Sequence, residues 1–183
     1  MCAIGECNNN IINDAGTSQL VVPCDLYTGK TILPYLHQFL SKDIEYCSAY
    51  KRHLERIEEE IPNFKERSEP ENWVVYSQSR FTKDRLVSFV PLVEFKIKEN
   101  LYSAINYLLE DNDVKIAIPR FSFKAWRWKD IKELVEIEFG ILDEHHSRIY
   151  LYNYDNDQLK IDLAIKEGIC ITSEGEIDYD ILD

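Results

Sequence analysis

The segment best suited to ligand chemistry joins residues 115–120, which contain the apolar run 116–119, to a helical pattern that starts at Trp128. In an α/β protein, the carboxyl end of a strand faces a helix N-terminus at such a place, and these crevices bind ligands. Between Pro119 and Trp128 there is neither a glycine nor a carboxylate. A loop that lets a phosphate touch its backbone normally uses glycine, which has no Cβ to block the approach. The connection instead carries bulky aromatic and cationic side chains: Phe121, Phe123, Lys124, Trp126 and Arg127.

A second candidate loop, residues 25–30, follows the apolar run at residues 20–22. Asp25 opens this loop, and Gly29 is its only glycine. Lys30 follows Gly29, and we interpret it as a solvated loop lysine or, alternatively, as a point charge that meets a phosphate.

The cations and aromatics of residues 121–127 have two interpretations each. Lys124 and Arg127 precede a helix start, where an anion is favoured, although both are equally suited to pairing with an acidic surface. Phe123 and Trp126 either stack on a planar ligand or fill the pocket themselves, and their combined volume favours filling.

Covalent and metal chemistry find little support in the sequence. Cys24 ends an apolar run and is interpreted as a small buried hydrophobe, because only His37 lies near it along the chain. His145 and His146 lack a third ligand at a useful spacing, and no motif for a serine triad or for paired carboxylates is present. We therefore predict no catalytic residue, no metal site and no cofactor.

Charge and composition restrict the classes of partner. The 183 residues carry a net charge of −12, which argues against binding a nucleic acid backbone. The excess is concentrated at residues 141–183, with eleven acids and three bases. Five irregularly spaced cysteines, no signal-peptide pattern and no apolar run of membrane-spanning length predict a cytoplasmic protein with reduced thiols.

Strand and helix patterns alternate along the chain. Apolar side chains recur every three or four residues from Ile44 to Ile61 and predict the clearest helix. Pro62 is expected to end this helix. The predicted strands are residues 20–22, 73–76, 86–93, 114–118 and 148–154, and the predicted helices are residues 32–40, 43–61, 100–110 and 129–139. This alternation predicts an α/β fold with a mixed, largely parallel central sheet in three α/β/α layers. Residues 1–154 form the predicted domain, and residues 155–183 an acidic extension that adds a short strand at residues 169–171.

The order of these elements resembles the macrodomain, a fold that binds ADP-ribose. The strongest match is Ile116-Ala117-Ile118-Pro119 followed by Trp128, which resembles the family's Ile-Ala-Ile-Pro, glycine-rich loop and Asp-Trp. Weaker matches are the strand at residues 20–25, the helix pair with Phe39, Tyr46 and Tyr50, the strand at residues 73–78 and the helix at residues 101–109. The resemblance covers residues 11–154.

Both ligand loops depart from the family pattern. The glycine-rich second loop is replaced by residues 120–128, and Arg127 stands where the Asp of the hydrolytic branch would do chemistry. In the first loop, Asp25 occupies the place of the family's Asn, and Gly29 is the only glycine. The resemblance therefore implies an ADP-ribose-type site without the family's catalysis.

Three functions follow, in order of preference. The first is a non-catalytic module that binds or sequesters an ADP-ribose-type nucleotide or signal molecule. The second is an acidic inhibitor or interaction protein with a filled pocket, such as those of mobile elements or viruses, that engages a basic protein partner. The third is a divergent ADP-ribosyl hydrolase using Asp25, Lys30 or Lys124. The candidate ligand-binding residues are Asp25, Gly29, Lys30, Phe123, Lys124, Trp126 and Arg127.

Overall fold

A computed structural model describes residues 2–9, 11, 19–64, 76–79, 85–110, 114–142 and 147–154. Seven strands within these ranges form one sheet. The strands are β1 (Cys2–Cys7), β2 (Gln19–Asp25), β3 (Tyr76–Ser79), β4 (Arg85–Leu92), β5 (Ile116–Ile118), β6 (Gly140–Leu142) and β7 (Ser147–Tyr152). The predicted C-terminal extension and its strand at residues 169–171 lie outside the described residues.

Four α-helices connect the strands within the described residues. They are α1 (Pro34–Leu40), α2 (Ile44–Phe64), α3 (Ile97–Leu109) and α4 (Trp128–Phe139). Proline is harmless in the first turn of α1, because its missing N–H has no partner there. In α4, Ile131, Leu134 and Val135 are buried at helical spacing, and Gly140 ends the helix with a φ of 145°.

The sheet is mixed and largely parallel, which confirms the predicted α/β fold class. Its strand order is β3-β4-β2-β5-β7-β1-β6. All neighbouring pairs run parallel except β3 and β4, which run antiparallel. Parallel strands need both faces covered, and β2 and β5 accordingly read as continuous buried runs. The prediction of three layers stays a prediction.

Two prolines, Pro23 and Pro62, behave differently from the sequence-based expectation, whereas Pro91 lies within β4 as in the strand predicted at residues 86–93. Strand β2 continues through Pro23 to Asp25, and β4 contains Pro91 paired with Cys24. The β3 pairing ends at Ser88, so Pro91 lies where β4 has no described neighbour on that side. The expectation that Pro62 ends α2 was wrong, because the helix continues to Phe64. Pro62 thus lies in the last turn of α2, two residues before the end of the helix.

The core lies along the inner strands and the buried faces of the helices. Its largest fully buried side chains are Tyr46, Tyr152, Phe89, Ile4, Ile11, Leu20, Leu36, Leu40, Ile57, Leu92 and Ile97. One polar pair crosses this core, where the amide of Gln19 on β2 donates to the hydroxyl of Ser88 on β4. Within the described parts of the chain, no helix combines the length and apolar character that crossing a bilayer requires.

Candidate functional site

The order of the strands reverses between β2 and β5. After β2 the chain crosses to one side of the sheet, to β3 and then β4, whereas after β5 it crosses to the opposite side, to β6 and then β7. Strands β2 and β5 are parallel neighbours, so their carboxyl ends open on the same edge. A crevice forms outside the carboxyl ends at such a reversal, and ligands of open α/β sheets bind there. The loops at this point are residues 25–31 and residues 119–127, which include all seven candidate ligand-binding residues.

The first loop is a tight turn that returns to β2. The Asp25 carboxylate accepts hydrogen bonds from the amides of Tyr27 at 2.8 Å and Thr28 at 3.3 Å. The amide of Gly29 donates to the Asp25 carbonyl at 2.8 Å, and Thr31 then pairs with Cys24. One oxygen of Asp25 is thus committed to holding the turn, which explains the residue type at this position.

Gly29 faces the protein interior and not the crevice. Its φ is 72°, and a Cβ there would lie 3.0 Å from Leu54 and 3.1 Å from Ile57 on α2. The ring nitrogen Nε2 of His53, also on α2, donates to the Gly29 carbonyl at 2.8 Å. The glycine therefore lets the loop press onto the helix, while the side chain of Lys30, next along the chain, is exposed.

The second loop contains a two-residue hairpin in place of a glycine-rich turn. The backbones of Phe123 and Trp126 exchange two hydrogen bonds of 2.9 Å. Lys124 and Ala125 form the exposed tip, and Lys124 has a φ of 55°. This left-handed conformation is unusual for a residue with a Cβ. Phe123 is buried in the core, with the Lys124 ammonium 6.0 Å from the centre of its ring.

Both loops are attached to the connection between β4 and α3. The amide of Leu26 donates to the Leu92 carbonyl at 3.0 Å, and the indole of Trp126 donates to the Glu94 carbonyl at 3.0 Å. The side chain of Asn100 accepts from the Val93 amide at 3.0 Å and fixes this connection. The structure thus brings the two loops to one shared segment.

Arg127 caps the start of α4 through its backbone. Its amide donates to the Asp130 carboxylate at 3.0 Å, as in a capping box, and its own side chain is exposed. Asp130 therefore already supplies a negative charge at this helix N-terminus. The Arg127 guanidinium projects from the same point into solvent.

Beneath the first loop, α1 and α2 bury a cluster of aromatic rings. Nδ1 of His37 is hydrogen-bonded to the Tyr46 hydroxyl at 2.9 Å, and the Thr31 amide donates to the Tyr50 hydroxyl at 3.3 Å. Burial raises the pKa of Tyr46 far above its usual range and raises the pKa of Tyr50. Burial lowers the pKa of His37. These groups are therefore uncharged near neutral pH, and the Tyr50 hydroxyl contacts the loop through the Thr31 amide.

His53 and Cys24 are also buried and uncharged near neutral pH. His53 stacks on Phe89 at 4.8 Å, and desolvation lowers its pKa to about 4. Its Nδ1 is buried without a hydrogen-bond partner among the described residues. The Cys24 thiol donates to the Val22 carbonyl at 3.5 Å, and burial raises its pKa well above the usual range. The thiol stays protonated, so Cys24 is a poor nucleophile.

A polar network beside the crevice was missed at the sequence level. The side chain of Asn153, just after β7, accepts from the Trp128 indole at 3.0 Å and donates to Glu6 at 3.5 Å. Lys132 on α4 pairs with Glu6 at 2.8 Å, which lowers the pKa of that carboxyl. Arg120 donates to the Asn153 carbonyl at 3.3 Å. Recognising β1 as a strand would have placed Glu6 at this edge.

No protein-family model matches the chain, and a comparison with curated proteins finds no matching sequence. The macrodomain resemblance therefore stays a prediction. In the ranges that the structure describes, no three His, Cys, Asp or Glu side chains come together as a metal site requires. The pair His145–His146 lies outside those ranges.

Proposed function

We propose that this protein is a non-catalytic, macrodomain-like module that binds an anionic nucleotide derivative of the ADP-ribose type in the crevice between residues 25–31 and 119–127. The observation that carries this proposal is the reversal of strand order between β2 and β5. It sets two loops side by side at the edge where open α/β sheets hold ligands.

The charges around the crevice support an anionic ligand. Lys30, Lys124 and Arg127 have exposed side chains on these two loops, in a chain whose net charge is −12. A local cluster of cations on an acidic protein concentrates anions at that place. Lys124 sits at a hairpin tip and Arg127 caps a helix by its backbone, so both side chains are available to a phosphate.

Two features support binding without turnover. The carboxylate of Asp25 accepts two backbone hydrogen bonds from its own turn, and Asp130 accepts one from the start of α4. The buried thiol of Cys24 stays protonated. These hydrogen bonds commit one oxygen of each carboxylate to the backbone, and a protonated thiol is a poor nucleophile, so both features favour binding over turnover.

The test is calorimetric titration with ADP-ribose, with AMP and ribose 5-phosphate as smaller probes. Changing Lys124 and Arg127 together to Ala is expected to weaken ADP-ribose binding by about 1.5–3 kcal/mol for each charged hydrogen bond lost. The matched control changes Lys51 and Arg52, two exposed cations of α2, to Ala. This control removes the same charge and should leave the affinity nearly unchanged.

Three results would contradict the proposal. If the parent protein does not bind ADP-ribose at millimolar concentrations of the nucleotide, ADP-ribose is excluded as the ligand. Equal weakening in both double variants assigns the effect to overall charge and not to the crevice. Release of ADP-ribose from modified protein, followed by mass spectrometry and abolished by Asp25→Asn, would instead establish the hydrolase.

A further inference from the structure

A groove of about 500 Å³ lies on the face of the molecule formed by α3, α4 and the 123–126 hairpin. Trp126, Leu134 and Ile137 supply its apolar surface. Asp130, Glu133 and Glu138 supply its acidic groups. It adjoins the crevice at the 123–126 hairpin, because Trp126 belongs to both, and it extends away from the crevice along α4 to the start of α3.

Exposed apolar side chains concentrate around this groove. Among the described residues, five large apolar side chains are exposed, and Ile137 is the most exposed at 77%. Phe95 is 74% exposed and follows Glu94, whose carbonyl accepts the Trp126 indole. Tyr102 stacks on Phe139 at 5.4 Å, one residue beyond Glu138. Three of the five thus lie in or beside the groove, and grouped exposed apolar side chains mark binding surfaces.

The charges around the groove specify the partner's chemistry. Glu133 is exposed, and Asp130 is engaged by a single backbone amide. Glu138 pairs with Lys98 at 2.9 Å, so the groove keeps an excess of negative charge. Basic side chains are complementary to that excess, whereas an anionic ligand or an acidic peptide is repelled.

We propose that this groove binds a basic segment of a partner protein, which inserts an apolar side chain between Trp126 and Ile137 and sets Lys or Arg opposite Glu133. A second copy of this chain is a poor occupant. A two-fold contact on this face places the same acids of the two copies close together, on molecules that each carry −12. The inference does not depend on nucleotide binding in the crevice.

The probe is a displayed library of random twelve-residue peptides, selected on the full chain. Selected sequences are expected to combine Lys or Arg with one large apolar residue. Dissociation constants for the most enriched peptide are then measured with the parent, Ile137→Ser and Glu133→Lys. Each substitution should raise the dissociation constant at least tenfold, because one removes the apolar contact and the other reverses the attraction.

The chain offers matched controls for both substitutions. Ile44 on α2 is 74% exposed, so Ile44→Ser removes a similarly exposed isoleucine elsewhere. Glu58→Lys reverses an exposed acid on the same helix. Both controls should change the dissociation constant less than twofold.

Several outcomes overturn the proposal. A selection that returns no peptide, or only acidic peptides, rules out the basic partner. Equal weakening by Glu58→Lys and Glu133→Lys shows general attraction to an acidic surface. Sedimentation that detects a dimer abolished by Ile137→Ser assigns the face to a second copy of this chain. Melting temperatures of all four variants within a few degrees of the parent confirm that they fold.

Discussion

Lys124 combines an exposed cation with a strained backbone. Its φ of 55° is a conformation that costs a residue with a Cβ on the order of 1–2 kcal/mol. We predict that Lys124→Gly is more stable than Lys124→Ala, because glycine removes the steric cost. The difference in the free energy of unfolding, measured by urea denaturation, should be about 0.5–1 kcal/mol. Both variants lack the ammonium, so both should lose the same affinity for ADP-ribose. Lower stability of the glycine variant would contradict the strained conformation.

Gly29 is predicted to be necessary for stability and not for direct ligand contact. In Gly29→Ala, the new Cβ meets Leu54 and Ile57 at a φ of 72°. We expect a loss of about 1–3 kcal/mol in the free energy of unfolding, measured by urea denaturation. Lys30→Ala, which changes the exposed neighbour, should leave that free energy nearly unchanged. Equal stability of the two variants would mean that the loop does not press onto α2.

At this scale, the sequence located the two loops but not what their side chains do. The order of residues alone showed that Asp25 follows a strand and that Arg127 precedes a helix. It did not show that Asp25 holds its own turn, or that Phe123 is buried while Lys124 remains at a tip. These roles depend on backbone hydrogen bonds within a few residues, which a pattern of residue types does not reveal.

The helix α2 is predicted to make stability depend on pH through His53. Burial lowers the pKa of His53 to about 4, below its value of about 6.5 in an unfolded chain. Between pH 6.5 and 4, the His53 imidazole is protonated in the unfolded state but stays neutral in the folded state. Its contribution to the free energy of unfolding is therefore complete above pH 6.5 and is lost as the pH falls towards 4. The expected loss from this group is about 2–3 kcal/mol, seen as a falling free energy of unfolding in urea.

The variant His53→Gln tests that assignment. Glutamine retains an N–H for the Gly29 carbonyl and does not titrate, so its stability should fall less than the parent's between pH 6.5 and 4. His37 and the carboxylates are unchanged in this variant, and the difference between the two curves isolates His53. Parallel curves would show that another group is responsible.

Elements with strong periodicity were predicted best. The helices α2 and α4 and the strand β7 lie within a few residues of their predicted bounds. The strands β1 and β6 were not predicted, because β1 has no clear alternation and β6 has only three residues. Strand β6 gains its pairing from β1, some 140 residues away along the chain, which no local pattern contains.

For the whole molecule, net charge is predicted to oppose folding at low ionic strength. A charge of −12 repels itself, and added salt screens that repulsion. The exposed pairs Lys98–Glu138 and Lys132–Glu6 weaken in salt, but each contributes at most about 1 kcal/mol. We therefore expect the melting temperature to rise between 20 and about 200 mM NaCl.

A charge-reduced variant provides the control. Changing Glu58 and Glu59 to Lys on the exposed face of α2 reduces the net negative charge by four units. The gain in melting temperature with salt should be smaller in this variant. A falling melting temperature in the parent would show that attractive ion pairs dominate over repulsion.

The fold class was predictable at this scale, whereas the strand order was not. Alternating patterns are enough to predict an α/β sheet, because a helix that crosses between two strands usually joins them in parallel. The reversal between β2 and β5 depends on which side of β2 each later strand joins. That choice is made by packing between distant segments, so the position of the crevice needed the structure.

The placement of β1 between β6 and β7 has a consequence for how the chain folds during its synthesis. Ile4 pairs with Leu142 on one side and with Ile149 on the other. At a synthesis rate of roughly 5–20 residues per second, β1 waits roughly 7–30 seconds for its partners to leave the ribosome. Strands β2, β4 and β5 emerge earlier and already pair with one another. Strand β1 is thus among the last of these strands to join the sheet, and until then the growing chain exposes an open strand edge that chaperones recognise.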